Sequence, residues 1–158
     1  APIVQDTAEQ DVTLIESGAI CEYLVRKAGM LGEPTDVRQG LLYHQYMHYA
    51  EGSIMPLLFA MLVAKRTPLV GRLVMKRLRP MLDLHLDYIE SELSDKPWFA
   101  GDSITATDIM MSFPLEAAHS RGYLGKSRPA TARWIEVIHT RPAYQQALAK
   151  GGAYSFGS

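Results

Sequence analysis

Residues 101–115 of the chain have the sequence GDSITATDIMMSFPL, which predicts the start of a buried helix. Thr105 is the predicted N-cap, and the carboxylate of Asp108, three residues later, can accept a hydrogen bond from the Thr105 N–H as in a capping box. Ile104 and Ile109 flank this box at the spacing of a hydrophobic staple. The turn that follows is apolar almost all round, which favours a helix inside a bundle, although an ordinary well-capped helix has the same local pattern.

The composition is that of an ordinary water-soluble globular protein. The chain has 158 residues, a net charge of −1 and a hydrophobic share of 47%. We expect no nucleic-acid partner, because the basic cluster at 76–79 fits a solvated helix face. We expect no membrane span, because the longest apolar run, at 54–64, is shorter than the ~20 residues required. The single cysteine, Cys21, excludes an internal disulfide and fits a reducing compartment such as the cytoplasm.

Two short apolar runs open the chain, and a helical pattern follows them. The runs at 2–4 and 12–15 flank a polar stretch, which predicts a β-hairpin. Because two strands alone are marginal in water, we expect this hairpin to belong to a larger sheet or to pack on the helices. From Glu16-Ser17 to Gly29 the pattern is helical. The chain begins with Ala-Pro rather than Met, so we expect its natural start to lie further upstream.

From residue 36 the pattern is helical almost to the end. Gly52 and Pro56 predict a bend in the first long helix, and Pro80 predicts a kink or split in the second. His44 and His48 have a spacing that a metal ion accepts, but no third ligand is evident, so we predict no metal site. The predicted helices begin near residues 36, 69, 105, 129 and 142, and the first two end near 65 and 93.

Four stretches of the chain resemble the glutathione transferase family, bacterial type, in the order in which that family has them. The sequence KPWFAGDSITATDI at 96–109 is similar to the start of the central helix of the all-helical C-terminal domain. The stretches APIV at 1–4 and LIESGAI at 14–20 resemble the last third of the thioredoxin-like domain. The region 134–144, which contains WI and RPAY, resembles the final helices of the family.

The resemblance implies a mainly α protein with two unequal parts. Residues 1–30 would be the C-terminal remnant of a thioredoxin-like glutathione-binding domain, an α/β piece made of a β-hairpin and a helix. Residues 31–36 would be a linker, and residues 37–158 an all-helical C-terminal domain. The N-terminal part of the thioredoxin-like domain would then be missing from this chain.

The function that the resemblance implies is conjugation of glutathione thiolate to small hydrophobic electrophiles, as in detoxification. Glutathione would be a substrate, no metal would be needed, and the protein would be a cytoplasmic homodimer. We expect the long helices from residues 36 and 69 at the dimer interface, since their apolar residues are too many for one buried face each. The alternative is a non-catalytic ligand-binding or protein-interaction module, because a fold does not fix a function.

The resemblance also implies residues that bind glutathione. Pro2 would be the family's cis-proline, and Ala1 before it would offer its backbone to the cysteinyl part. Glu16 and Ser17 would hold the γ-glutamyl group, which agrees with the attraction of a helix N-terminus for a carboxylate. Glu16 can pair with the ammonium group and Ser17 can donate to the carboxylate. The alternative is that both residues only cap the helix.

The electrophile pocket and the catalytic residue are expected in different parts of the protein. Tyr46, Tyr49 and Ser53 are the pocket candidates, since the family uses this helix as one wall of the pocket. The activating Tyr, Ser or Cys of the family lies near the natural N-terminus, upstream of Ala1, so we expect no catalytic residue in this chain and no activity of the chain alone. Cys21 is no substitute, because a thiol near the apolar face of a helix behaves as a small hydrophobe.

Overall fold

The computed structural model describes residues 2–8, 11–67, 70–152 and 154–156 of the chain. A β-hairpin is followed by helices, which confirms the predicted mainly α class. The strands are β1 (Val4–Asp6) and β2 (Val12–Leu14). The helical elements are α1 (Ser17–Ala28), α2 (Val37–Tyr49), a π-helical turn (Ala50–Ile54), α3 (Met55–Lys65), α4 (Val70–Asp95), α5 (Ala106–Ser120), α6 (Pro129–Thr140) and α7 (Pro142–Gly151).

The hairpin is tied to α1 through Asp6. Strand β1 pairs antiparallel with β2, and Asp6 lies opposite Val12. The Asp6 carboxylate accepts hydrogen bonds from Lys27 and from the Tyr23 Oη, which lies 2.8 Å away. These bonds hold the pKa of Asp6 far below its usual range. The predicted first strand at 2–4 is therefore wrong by two residues, because polar Asp6 has partners on α1 that keep it in the strand.

Helix α1 has the predicted ends, but its apolar residues at helical spacing, Ile20, Tyr23 and Leu24, are not all buried. Gly29 follows its last residue in the left-handed conformation, with φ 66°. Ile20 and Val25 are buried, whereas Leu24 is 49% exposed. The difference arises because α1 packs on α5 along only part of its length, next to a cavity described below.

The predicted single helix over 36–65 is divided by the π-helical turn. Asp36 begins α2 as its N-cap, and its carboxylate accepts a hydrogen bond from the Gln39 N–H at 2.9 Å. The predicted bend at Gly52 is realised as this wider turn, which changes the helical phase without ending the helix. Pro56 lies in the first turn of α3, directly after the π-helical turn. Such turns are frequent at functional sites.

Helix α4 continues through Pro80, so the predicted split does not occur. Next to the proline, Arg79 donates to the Asp83 carboxylate at 2.9 Å, and Arg128 donates to the same carboxylate at 3.0 Å. These bonds connect the middle of α4 with the residue before α6. The predicted start near residue 69 lies outside the described residues. Leu82, Leu86, Ile89 and Leu93 recur in the sequence at helical spacing, which predicts a core stripe, and all four are buried.

The start of α5 joins several parts of the molecule. Thr105 is its N-cap, and a capping box with Asp108 is formed. The fully buried Asp108 carboxylate accepts hydrogen bonds from the Thr105 N–H at 2.9 Å and from the Phe99 N–H at 3.0 Å. The Ala106 N–H donates to the Leu31 carbonyl at 2.8 Å, which fixes the predicted linker to this helix.

Helix α5 is not buried all round as the sequence predicts. Met111 and Leu115 are fully buried in the core, but Ile109 is 46% and Phe113 is 43% exposed. These two residues face a cavity rather than another helix, because α2 and α6 cover only the other sides of α5.

The run Val37–Lys65 is long enough and apolar enough to cross a membrane by length and composition alone. Core helices of soluble proteins have the same property. In this fold α3 packs against α4, and α2 packs against α5. The run contributes Tyr46, Ile54, Leu58 and Met61, all fully buried, to the hydrophobic core.

Candidate functional site

A cavity of about 430 Å³ opens where the N-terminal segment, α1, the π-helical turn and α5 meet. Pro2 and Ser17, two of the predicted glutathione-binding residues, both line it. The other lining residues are Ile20, Cys21, Leu24, Glu51, Ile109, Met110 and Phe113. The cavity thus combines one hydroxyl and one carboxylate with a largely apolar wall.

The N-terminus of α1 reaches this cavity without a side-chain cap. Ser17 is the first residue of the helix, and no side chain of the described residues caps it. Its first N–H groups are therefore available to a bound anion, which the helix dipole also attracts. The alternative role of Glu16 and Ser17 as side-chain caps is not adopted in this structure.

Glu16 has a strained backbone at the entrance to α1. Its φ of 74° and ψ of 122° are rare for a residue with a side chain. Such conformations cost on the order of 1–3 kcal/mol and cluster at ligand clamps and active sites. Its side chain is exposed and does not line the cavity, and Ala1 lies outside the described residues together with its bond to Pro2.

Among the described residues that line the cavity, the charged side chain is acidic. Glu51, on the π-helical turn, supplies a carboxylate, and no lysine or arginine is among the described residues that line the cavity. Burial, with a smaller contribution from Glu22, raises the pKa of the Cys21 thiol. Its Sγ lies 4.0 Å from the Ala106 carbonyl oxygen. Cys21 is therefore a poor source of thiolate at neutral pH.

The three predicted pocket residues are not brought to this cavity. Tyr46 is fully buried, and its Oη donates to Glu92 at 2.7 Å and lies 2.9 Å from the Tyr88 Oη. The Tyr49 Oη bonds His85, and burial, followed by Tyr88, raises the pKa of Tyr49 to about 12. Tyr46 and Tyr49 thus belong to the contact of α2 with α4.

Ser53 is half-buried on the π-helical turn and is not among the residues that line the cavity. The helical stripe that marks Tyr46, Tyr49 and Ser53 in the sequence is the stripe that faces the core. Glu51, which does reach the cavity, is exposed on the π-helical turn and lies outside this stripe.

One of the two histidines at metal-compatible spacing, His44, has a carboxylate partner. His44 Nε2 lies 3.2 Å from a Glu33 oxygen. Among the described residues, no group of three or more His, Cys, Asp or Glu side chains could hold a metal ion.

Comparison with known proteins shows the family to which the chain belongs. Residues 74–137 match the family model of the glutathione S-transferase C-terminal domain. The chain is 37% identical to glutathione S-transferase 3 of Schizosaccharomyces pombe, in an alignment that covers 95% of this chain and 67% of that protein. The chain belongs to the glutathione transferase family. The resemblance seen in its four motifs is thereby confirmed.

Solved structures of other proteins have the same fold as this family member. A glutathione S-transferase from Actinobacillus pleuropneumoniae, 26% identical, superposes with a TM-score of 0.82 over 99% of this chain and 71% of its own. Ure2p5 from Phanerochaete chrysosporium, 22% identical, superposes with a TM-score of 0.78 over 95% of this chain and 74% of its own. The latter was cocrystallized with 1-(S-glutathionyl)-2,4-dinitrobenzene.

Some cavity residues of this family member were not predicted from its sequence. Glu51 and Phe113 line the cavity together with Met110. Glu51 had one sequence signal, a carboxylate directly before a helix-bending glycine. Phe113 and Met110 had none, because an apolar residue that lines a cavity looks like any other core residue in the sequence.

Proposed function

We propose that this protein conjugates the thiolate of glutathione to small hydrophobic electrophiles at the cavity between α1 and α5. The observation that carries the proposal is the uncapped N-terminus of α1 at the cavity, with Ser17 in its first turn and a strained Glu16 before it. The role of the fold's two parts follows: residues 1–30 bind glutathione, residues 31–36 connect, and residues 37–158 supply the acceptor side.

The γ-glutamyl end of glutathione binds at α1 in this proposal. Its carboxylate accepts hydrogen bonds from the free N–H groups of the first turn and from the Ser17 hydroxyl. Its ammonium group pairs with the exposed Glu16 carboxylate, and Glu51 supplies a further carboxylate at the cavity. Pro2, and Ala1 before it, contact the cysteinyl part.

The electrophile binds against the apolar wall that Ile109, Met110 and Phe113 provide. These side chains exclude water from one side of the cavity and place no fixed charge there. A hydrophobic acceptor is therefore favoured over a charged one.

Thiol activation is the step that this chain does not supply. A free cysteine thiol has a pKa of ~8.5, and lowering it by about two pH units takes ~2.7 kcal/mol, usually through a hydrogen bond to sulfur. Ser17 and Cys21 are the hydroxyl and thiol among the described lining residues; Ser17 is assigned to the γ-glutamyl end, and the pKa of Cys21 is raised by burial. We therefore infer that the activating group lies outside these 158 residues.

The same proposal includes a cytoplasmic homodimer. The support for the dimer is the apolar surface of α3 and α4, where several large side chains are more than half exposed. They include Phe59, Val70, Leu73 and Leu84.

Steady-state kinetics with varied glutathione and a chlorinated aromatic acceptor test the proposal. The 158-residue chain alone should give no conjugation above background, whereas the full-length natural protein should be active. In the latter, Glu16→Ala or Ser17→Ala should raise the KM for glutathione more than they lower kcat, because each removes a positioning contact.

Robust turnover by the short chain would overturn the inference about activation. An unchanged KM in both variants would remove Glu16 and Ser17 from the site. A full-length protein that binds glutathione without turnover of any acceptor would instead support a non-catalytic binding module.

A further inference from the structure

The wall of the candidate cavity includes an aromatic ring that α5 alone does not hold in place. Phe113 lines the cavity and is 43% exposed. An exposed phenylalanine changes rotamer freely, and a ligand that stacks on it must first restrict that motion. The usefulness of Phe113 as a binding surface therefore depends on what supports its ring.

The support comes from the C-terminal segment Tyr154–Phe156. The Phe156 ring meets the Phe113 ring edge to face, with centroids 5.8 Å apart and planes at 61°. The Tyr154 ring packs on Phe156 in the same manner at 5.5 Å and 81°. The Arg121 guanidinium lies 5.8 Å from the centre of the Phe156 ring. Phe113 is thus the inner member of a row of three aromatic rings.

A buried carboxylate anchors this row. The Tyr154 hydroxyl donates to Glu116, which lies one turn after Phe113 on α5 and is 2% exposed. Burial, together with the hydrogen bond to Glu116, raises the pKa of the Tyr154 phenol, which therefore stays protonated as a donor. His139 Nε2 lies 2.9 Å from the other Glu116 oxygen, and its ring stacks on Tyr144 at 4.7 Å.

We propose that Phe113 selects electrophiles with a flat aromatic group, and that Glu116, Tyr154 and Phe156 are positioning residues that hold its ring for stacking. The inference rests on the proposed function of the cavity. Glu116 fixes Tyr154, Tyr154 fixes Phe156, and Phe156 limits the rotation of Phe113. A ring that is held before the ligand arrives loses less entropy on binding, so an aromatic acceptor gains affinity while glutathione itself does not.

The test compares two ligands, glutathione and 1-(S-glutathionyl)-2,4-dinitrobenzene, which differ by one flat aromatic group. Their dissociation constants are measured by calorimetry with the full-length natural protein. We expect Phe113→Ala, Phe156→Ala and Tyr154→Phe each to weaken the conjugate by about threefold to tenfold and to leave glutathione unchanged. Ser155→Ala, between the two aromatic residues of the segment, and Phe156→Tyr, which keeps a ring, should match the wild type.

Each other result overturns a defined part of the inference. If Phe113→Ala alone weakens the conjugate, the C-terminal segment has no positioning role. If a variant weakens both ligands equally, its effect is not on the aromatic group. If the wild type binds neither ligand, the proposed function fails, and the inference fails with it.

Discussion

The Asp108 carboxylate connects backbone groups at the centre of the fold. It is fully buried and accepts two backbone hydrogen bonds, one from Thr105 at its own helix start and one from Phe99 in the preceding loop. A buried carboxylate persists only when its acceptors are used. Asp108 therefore joins a loop and a helix that the apolar core alone would not fix in relative position.

Removing this carboxylate should destabilise the protein more than removing the cap. Asp108→Ala leaves two buried N–H groups without an acceptor, which should lower the free energy of unfolding by about 2–4 kcal/mol. Thr105→Ala should lower it by about 1–2 kcal/mol. Urea denaturation measures both, with Ser103→Ala, an exposed residue of the same loop, as the control. An unchanged midpoint in both variants would contradict the role of the box.

Asp108 should also give the stability a distinct pH dependence. Burial raises its pKa from 3.8 to about 6, although the bonds from Phe99 and Thr105 oppose the change. Between these pH values the folded state binds more protons than the unfolded state, so this contribution to stability is present at low pH and is lost as the pH rises through about 6. The loss should be on the order of 2–3 kcal/mol.

Asp108→Asn isolates this contribution, because asparagine does not ionise. Unfolding free energies of both proteins are compared from pH 4 to pH 7, and the wild type should lose stability relative to the variant as the pH rises. A difference that stays constant over this range would show that Asp108 does not titrate there.

At the scale of elements, α6 depends on a side chain from α4. The Glu90 carboxylate accepts hydrogen bonds from the Ala130 N–H and the Thr131 N–H, both at 2.8 Å, and from the Thr131 hydroxyl at 2.7 Å. Helix α6 has no cap from its own N-cap residue, Arg128. Glu90 thus caps α6 and fixes its position on α4 at the same time.

Glu90→Ala should lower the free energy of unfolding by about 1–3 kcal/mol, because the first turn of α6 loses the acceptor for two N–H groups. The free energy of unfolding of Glu90→Gln should lie between those of the wild type and Glu90→Ala, since glutamine keeps one acceptor oxygen. The matched control is Glu136→Ala, an exposed residue on α6. Equal stability of Glu90→Ala and Glu136→Ala would rule out the capping role.

The elements were predictable where local sequence decides them. The cap at Thr105, the stop at Gly29 and the apolar stripe of α4 are local signals, and each has the predicted structural result. The continuation of α4 through Pro80 was not predictable, because contacts from Arg128, distant in sequence, accompany it. The exact form of the bend after Tyr49, a π-helical turn, was not predictable either, since this turn packs against the distant helix α5.

The candidate site was predictable only in part for the same reason. Pro2 and Ser17 belong to motifs that can be recognised in one sequence, and both line the cavity. Tyr46 was selected because the family uses its helix as one wall of the electrophile pocket, but its phenol bonds Tyr88 and Glu92 in a buried network. Which side of a helix faces a cavity is decided by its neighbours and is not written in its own sequence.

At the scale of the whole molecule, the exposed apolar face of α3 and α4 should form the dimer. Leu73 is 72% and Leu84 is 73% exposed on α4. Sedimentation velocity of the full-length natural protein should show a dimer, and Leu73→Glu or Leu84→Glu should raise its dissociation constant at least about tenfold. Val137→Glu, on α6, is the control. A wild type that stays monomeric at all concentrations would contradict the proposed dimer.

The proposed conjugation requires that glutathione binds at the start of α1. Calorimetric titration of the full-length natural protein with S-methylglutathione tests this most directly, since the blocked thiol removes any dependence on activation. The wild type should bind, Ser91→Ala on the exposed face of α4 should bind equally well, and Ser17→Ala should bind about fivefold to twentyfold more weakly. Absence of binding by the wild type, or equal binding by Ser17→Ala, would contradict the assignment of this site.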